Sequence, residues 1–210
     1  MSRSANAAVV LALACVTATA TAAAQLQLPR ARFGIGGGGT APQGVFRADA
    51  TGDGFNSGWE GMAFLEFRES RRPLGLRVDV VIGENPANDQ FNADATAVNG
   101  QPTTRKMRMF GVNADLVYGF RASRRGAGGY VLGGVGSYRL TLTTRQATGT
   151  GDLATDQSEN KFAWNAGGGV TLPVGRAAVF VEARYINIST AFAVSKLPIV
   201  AVTAGLRFGH

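Results

Sequence analysis

Apolar and polar residues alternate along most of this chain with a period of two residues. Between Trp59 and Arg68, apolar positions alternate with a set that includes Glu60 and Glu66. Successive side chains of an extended strand point to opposite faces, so the alternation predicts β-strands with one apolar and one polar face. Eight segments follow the pattern, and the glycine-rich first one is the weakest: 33–40, 59–68, 74–82, 110–120, 130–142, 162–172, 179–185 and 200–208.

The connections between these strands alternate in length. The long, polar ones are 41–58, 84–104 and 143–160, and 188–197 is a shorter, less polar exception. The short ones are 69–73, 121–129 and 173–178. Strands of about ten residues, tilted by roughly 40°, cover a membrane of about 25 Å. Strand number, lengths and loops together predict an all-β fold, an eight-stranded antiparallel up-and-down transmembrane β-barrel.

Periodicity alone does not decide which face of the strands meets water. A soluble sandwich would bury the apolar face, whereas a membrane barrel turns it toward lipid. Aromatic residues at strand ends favour the barrel, because they would form interfacial girdles. The predicted girdle residues are Trp59, Phe120, Tyr130, Phe162, Trp164 and Phe208.

The polar face would then line the lumen with charges of both signs. The predicted luminal network consists of Glu60, Glu66, Arg77, Asp79, Asp115, Arg139, Glu182, Arg184 and Arg207. Acids and bases mixed in this way can pair inside a narrow lumen. In the fifth strand, the same assignment turns Tyr130 and Tyr138 outward and Arg139 inward.

The N-terminal segment predicts export. After Arg3, the residues from Ala7 to Ala24 are uncharged, and only the first half of this segment is strongly apolar. The segment ends in an A-x-A pattern, which is typical of a cleavage site. This predicts a cleaved signal peptide over 1–24, a short lead over 25–31 and the barrel over 32–210. Two alternatives remain, a retained anchor and a lipoprotein acylated at Cys15, for which Ala12 replaces the usual larger aliphatic residue.

The amino-acid composition excludes several other classes of protein. The 210 residues are 45% hydrophobic with a mean hydropathy of +0.04, which excludes both a disordered chain and a bundle of membrane helices. A single cysteine and a single histidine exclude a disulfide framework and a multi-histidine metal site.

Two fragments resemble a known group of proteins. The segment Phe180 to Tyr185 reads FVEARY, and Ala204 to Phe208 reads AGLRF near the C-terminus. With the strand pattern, they are similar to the small outer-membrane β-barrels of OmpA/OmpX type and the opacity-like proteins. The resemblance implies an outer-membrane location and recognition of the last strand by the barrel-assembly machinery. In this family, that machinery usually recognises a terminal aromatic residue. Here His210 is the last residue and Phe208 lies two residues earlier.

Candidate chemistry is sparse. Gly34, Gly36 and Gly39 fit a dinucleotide fingerprint, but turn residues follow instead of a helix, so a glycine-rich strand is the better interpretation. Asp49, Asp53 and Glu60 have the spacing of calcium ligands, with a solvated surface loop as the favoured alternative. Neither a cofactor nor a metal is expected.

Catalysis is not expected either. The only histidine is His210, and Glu60 and Glu66 would lie roughly 20 Å apart along one strand, too far to cooperate. The net charge of +7 could indicate nucleic acid, but export favours lipid. The cluster of Arg105, Lys106 and Arg108 would lie at the level of anionic head groups of the outer-membrane lipid.

Two functions are compatible with this barrel. The first is a structural or surface-display role, in which long extracellular loops contact an unknown extracellular partner. The second is a small-solute pore. Eight strands enclose a lumen that side chains can fill, which favours the structural role over the pore.

Overall fold

The computed structural model describes residues 30–47, 54–68, 72–121, 126–149, 151–191 and 195–209. Eight antiparallel strands form a closed barrel in sequence order, with β1 paired to β8, which confirms the predicted fold. The strands are β1 (Arg30–Pro42), β2 (Gly58–Arg68), β3 (Leu74–Pro86), β4 (Thr103–Arg121), β5 (Gly128–Thr148), β6 (Gly151–Val174), β7 (Ala177–Ala191) and β8 (Ser195–Phe208). The predicted signal peptide, 1–24, lies outside the described residues.

The long connection between β3 and β4 contains a helix that the sequence pattern did not predict. Helix α1 (Asp89–Asn99) is capped at its N-terminus by Asn88, whose side-chain oxygen accepts a hydrogen bond from the Phe91 N–H at 2.9 Å. It ends at Gly100, which adopts the left-handed conformation with φ 66°. A short 3₁₀ turn (Gly44–Phe46) follows β1. None of the helices in the described ranges is long and apolar enough to cross a membrane.

The outer surface of the barrel is an apolar belt. Burial alternates strictly along most of β3, where Leu76, Val78 and Val80 point outward and Arg77, Asp79 and Val81 point inward. On β4 the outward apolar run extends from Phe110 to Phe120. Ten steps of about 3.3 Å, tilted by roughly 40°, give the belt a height of about 25 Å, which matches the hydrocarbon core of a membrane.

The predicted orientation of β5 is wrong. Tyr130, Leu132, Tyr138 and Leu140 are buried inside the barrel, whereas Arg139 is exposed on the outside. The pairing of β4 with β5 explains the reversal, because it places Tyr130 opposite Gly119 and Tyr138 opposite Gly111 on the inner face. A Cβ atom at Gly111 would overlap the ring of Tyr138. Gly111 of β4 therefore makes room for the ring of Tyr138, and Gly169 of β6 makes room for Tyr130.

The predicted loop 143–160 is also wrong, because most of it continues β5 and β6 as a hairpin. The two strands pair as far as Thr148 and Gly151. On its other side, β6 begins to pair with β7 only at Ala163. In the described part of the chain, residues 151–162 of β6 thus have a strand partner on one side only. The hairpin projects beyond β7, whereas β4 accompanies β5 as far as the pair Thr103 and Gln146.

Candidate functional site

The lumen gathers the charged residues around Arg184. Its guanidinium lies 2.9 Å from Glu182 Oε1, 3.0 Å from Asp79 Oδ2 and 3.3 Å from Asp115 Oδ2. All four side chains are buried. Because Asp79 belongs to β3, Asp115 to β4 and Glu182 to β7, this one arginine joins opposite walls of the barrel.

Arg77 is the second cation of this layer. Its Nη1 lies 2.7 Å from Glu182 Oε2, and its Nε lies 3.4 Å from Asp79 Oδ2. The guanidinium also stacks over the Phe64 ring, 3.8 Å from the centroid. Two arginines and three carboxylates are thereby held in one contact network.

Neutral side chains complete the network, and the sequence pattern did not identify them. The hydroxyl of Tyr130 donates a hydrogen bond to Glu182 Oε2 at 2.7 Å. Asn113 donates to Asp79 at 2.7 Å, and Asn165 donates to Asp115 at 2.8 Å. Each carboxylate consequently has an arginine and a neutral donor, which is the arrangement that makes buried charges tolerable. Asn113 and Asn165 could have been found, because both lie on the inward face of their strands.

The hydroxyl of Tyr130 supplies a direct test of the orientation of β5. We expect Tyr130→Phe to reduce the free energy of unfolding by about 1.5–3 kcal/mol, because a buried hydrogen bond to a charged group is lost. Tyr118→Phe is the matched control, since Tyr118 lies on the outer face and is 50% exposed. Urea unfolding in detergent measures both variants, and equal effects would contradict the assignment of Tyr130 to the lumen.

An apolar layer fills the lumen toward the long-loop end. Tyr138, Leu140, Ile188, Leu197 and Ile199 point inward, and each has an exposed fraction of 0%. Phe46 and Phe55, from the connection between β1 and β2, belong to the same cluster. These two residues of the connection therefore cover the strand residues from above.

A third layer lies toward the short-turn end. Glu66 Oε1 is 3.3 Å from both Arg32 Nη1 and Arg68 Nε, and Glu66 Oε2 is 3.8 Å from Arg207 Nη1. Glu60 is separate, because it accepts a hydrogen bond from Thr203 at 3.2 Å. The two glutamates of β2 thus have different partners. Of the predicted luminal residues, Arg139 alone is placed outside the lumen.

The predicted girdle residues other than Tyr130 lie toward the ends of the outer face. Trp59, Phe162 and Trp164 are exposed toward the long-loop end, and Trp164 packs on Tyr185 with centroids 5.5 Å apart. At the short-turn end Phe120 is exposed, and Phe208 stacks on Phe33 with centroids 4.9 Å apart. The apolar belt is therefore bordered by aromatic side chains at both ends.

The structure provides no support for the candidate calcium site at Asp49, Asp53 and Glu60. Asp49 and Asp53 lie outside the described residues, and the Glu60 side chain is buried in the lumen. In the described ranges, no group of three or more histidine, cysteine, aspartate or glutamate residues is placed to hold a metal ion.

Comparisons with known proteins agree with this architecture. The sequence model of the outer membrane protein beta-barrel domain family matches residues 8–208. No curated protein matches the chain. Among solved structures, the Neisserial surface protein A is similar with a TM-score of 0.54 at 15% identity, over 86% of this chain and 97% of that one. A major outer membrane protein of Thermus thermophilus has a TM-score of 0.56 at 12% identity, over 86% of this chain and 99% of that one.

Proposed function

Since the chain belongs to the outer membrane protein β-barrel domain family and its place is the outer membrane, we propose that it is a structural barrel that displays its long connections outside the cell. Short turns face the periplasm in such barrels, so the end that carries α1 and the β5–β6 hairpin faces outward. The belt would contact outer-membrane lipid, and the terminal strand β8 would be read by the barrel-assembly machinery.

The packing of the lumen carries the structural half of this proposal. Inward-facing Leu140, Ile188 and Leu197 have exposed fractions of 0%, which leaves no room for water beside them. Below them lies the network around Arg184, in which every charge has a partner. An ion crossing the barrel would have to pass first an apolar layer and then a neutralised one. These contacts support a closed barrel rather than a small-solute pore.

Planar-bilayer recording tests the closed lumen. We expect the purified protein to produce no stable unitary current steps, because the apolar layer excludes water. A variant with Ile188→Gly and Leu197→Gly, which removes two large side chains from that layer, is expected to conduct at least intermittently. Stable unitary steps in the unmodified protein would replace the structural role by the pore.

The β5–β6 hairpin supports the display half of the proposal. Beyond Arg139 and its partner Asn160, about nine residue pairs continue outward, or about 30 Å of strand. Most side chains of residues 151–160 are exposed. One edge of β6 lacks a strand partner in the described ranges, so its backbone groups are available to another protein. Polar residues such as Asp152 and Asp156 keep this surface soluble.

Cysteine labelling tests the direction of display. Ala154→Cys on the hairpin and Val98→Cys on α1, where Val98 is 85% exposed, should react with a membrane-impermeant maleimide on intact cells. Arg176→Cys, in the short turn between β6 and β7, should react only after permeabilisation. The opposite pattern would mean that the barrel is inverted.

No catalytic role is part of this proposal. The luminal carboxylates are bound by arginines and neutral donors, and Glu60 and Glu66 contact separate partners.

A further inference from the structure

A groove interrupts the outer surface where the apolar belt meets the long-loop end. It has a volume of about 430 Å³ and crosses strands β2 to β5. Its walls include Trp59, Ile82, Glu84, Arg108, Phe110 and Arg139. The pairing of β3 with β4 sets Glu84 beside Arg108 and, two residues deeper in the membrane, Ile82 beside Phe110. The lining of the groove therefore changes from charged to apolar within two residues along the strands.

Cations outnumber acids at this groove. Glu84 Oε2 lies 2.9 Å from Lys106 Nζ and 3.0 Å from Arg108 Nε, so one carboxylate holds two cations in place. Arg139 lies opposite Phe110 and forms no ion pair among the described residues. Arg108 and Arg139 line the groove and Lys106 adjoins it through Glu84, so three cations and one carboxylate leave a positive excess at the level where lipid head groups begin.

The groove continues downward into the lipid-facing belt. Ile82 and Phe110 form the upper end of the outward apolar run on β3 and β4, and Trp59 borders it on β2. An occupant that fits both halves must carry a negative head group and a hydrocarbon tail. Free phosphate or an acidic peptide would satisfy the cations but leave the apolar half exposed to lipid.

We propose that this groove binds the phosphate-bearing head group of an outer-leaflet lipid. The phosphate lies between Arg108 and Arg139, whose guanidinium groups match its oxygens better than an ammonium group would. An acyl chain of the same lipid lies along Ile82 and Phe110. Glu84 orients Lys106 and Arg108 but also repels the phosphate.

The fluorescence of Trp59 can report lipid binding, because this residue borders the groove. In a Trp164→Phe background, Trp59 is the only tryptophan, and bromine on an acyl chain quenches its fluorescence on contact. The protein is placed in phosphatidylcholine vesicles with a small fraction of brominated lipid, either phosphatidic acid or phosphatidylcholine. We expect phosphatidic acid to be enriched at Trp59 by at least about fivefold, which is the effect of one interfacial cation on an anionic lipid.

Charge-matched variants separate the groove from the general attraction of a basic protein. Arg108→Gln with Arg139→Gln should remove the enrichment. Arg145→Gln with Lys196→Gln changes the net charge equally at exposed positions away from the groove and should preserve it. Quenching by brominated phosphatidylcholine should stay equal in all variants, which verifies that Trp59 still faces lipid.

Two further measurements test whether the phosphate belongs to a lipid and whether it lies near Glu84. Inorganic phosphate should not displace the lipid beyond the effect of sodium chloride at the same ionic strength, and specific displacement would mean a site for the free anion. Glu84→Gln should increase the enrichment, because the repelling carboxylate is gone. Enrichment that survives in the Arg108 and Arg139 variant, or falls in Glu84→Gln, overturns the proposed site.

Discussion

Replacing Arg184 with methionine is expected to lower the free energy of unfolding by about 3–5 kcal/mol. The substitution keeps most of the side-chain volume but removes the cation that contacts Asp79, Asp115 and Glu182. Arg77 remains beside Asp79 and Glu182, so Asp115 loses its only ion-pair partner among the described residues. Urea unfolding in detergent, followed by the gel mobility of the folded barrel, measures the loss.

The control for this variant is Arg176→Met, in the exposed turn between β6 and β7. A surface change of this kind is expected to alter stability by less than about 0.5 kcal/mol. Glu182→Ala should resemble Arg184→Met, because it removes the carboxylate 2.7 Å from Arg77 and leaves the hydroxyl of Tyr130 without its acceptor. If neither luminal variant loses stability, the interior is hydrated and the paired-charge description of the lumen fails.

The second large effect is expected on the outer face. An arginine at Val78, which is 39% exposed near the middle of the belt, should cost about 2–4 kcal/mol in a lipid bilayer. The same substitution at Val80 and then at Ile82 moves the charge toward Glu84 and the head groups. We therefore expect the cost to fall along the series Val78, Val80, Ile82, because an arginine near the boundary extends into water.

Matched changes isolate the effect of lipid. Val78→Leu keeps the position apolar and should leave stability nearly unchanged, and Val98→Arg places the same charge on α1 outside the belt. Unfolding in bilayers of two thicknesses measures the series. A cost that is equal at all three depths, or absent at Val78, would contradict the assignment of this face to lipid.

The strands whose two faces differ strongly in polarity could be oriented from sequence alone. On β2 and β3, the inward set holds Glu66, Arg77 and Asp79 and the outward set is apolar as far as Ile82, so the period of two residues decides the orientation. Strand number and closure followed from the same alternation. The pattern worked because these strands contact lipid on one side and charged partners on the other.

The orientation of β5 could not be predicted from the alternation of polar and apolar residues. Both of its faces are nearly uncharged below Arg139, so polarity does not distinguish Tyr130 and Tyr138 from Val131 and Val135. Its orientation is decided by the space above Gly111 and by the carboxylate of Glu182, which lies 52 residues after Tyr130. The sequence contains all of these residues, but only the register of the strands brings them together. The sequence pattern wrongly places Arg139 in the lumen for the same reason.

The sequence pattern underestimates the lengths of β5 and β6 for a different reason. Residues 151–160 are polar and lack alternation, because both of their faces meet water above the barrel. A strand with two solvated faces leaves no periodic signal, and it reads as a loop. Helix α1 is similar, since a polar helix on the surface has little apolar face to detect.

The network around Arg184 also constrains the order in which the barrel can assemble. Asp79 and Arg184 are separated by 105 residues, so the acid is synthesised long before the cation that neutralises it. In a sheet made of the first four strands, Asp115 would lack its ion-pair partner and Asp79 would keep only Arg77. Such a face retains water and resists entry into hydrocarbon. The bilayer therefore selects for the complete ring, because dehydration of the interior becomes favourable only when β7 has arrived and β1 meets β8.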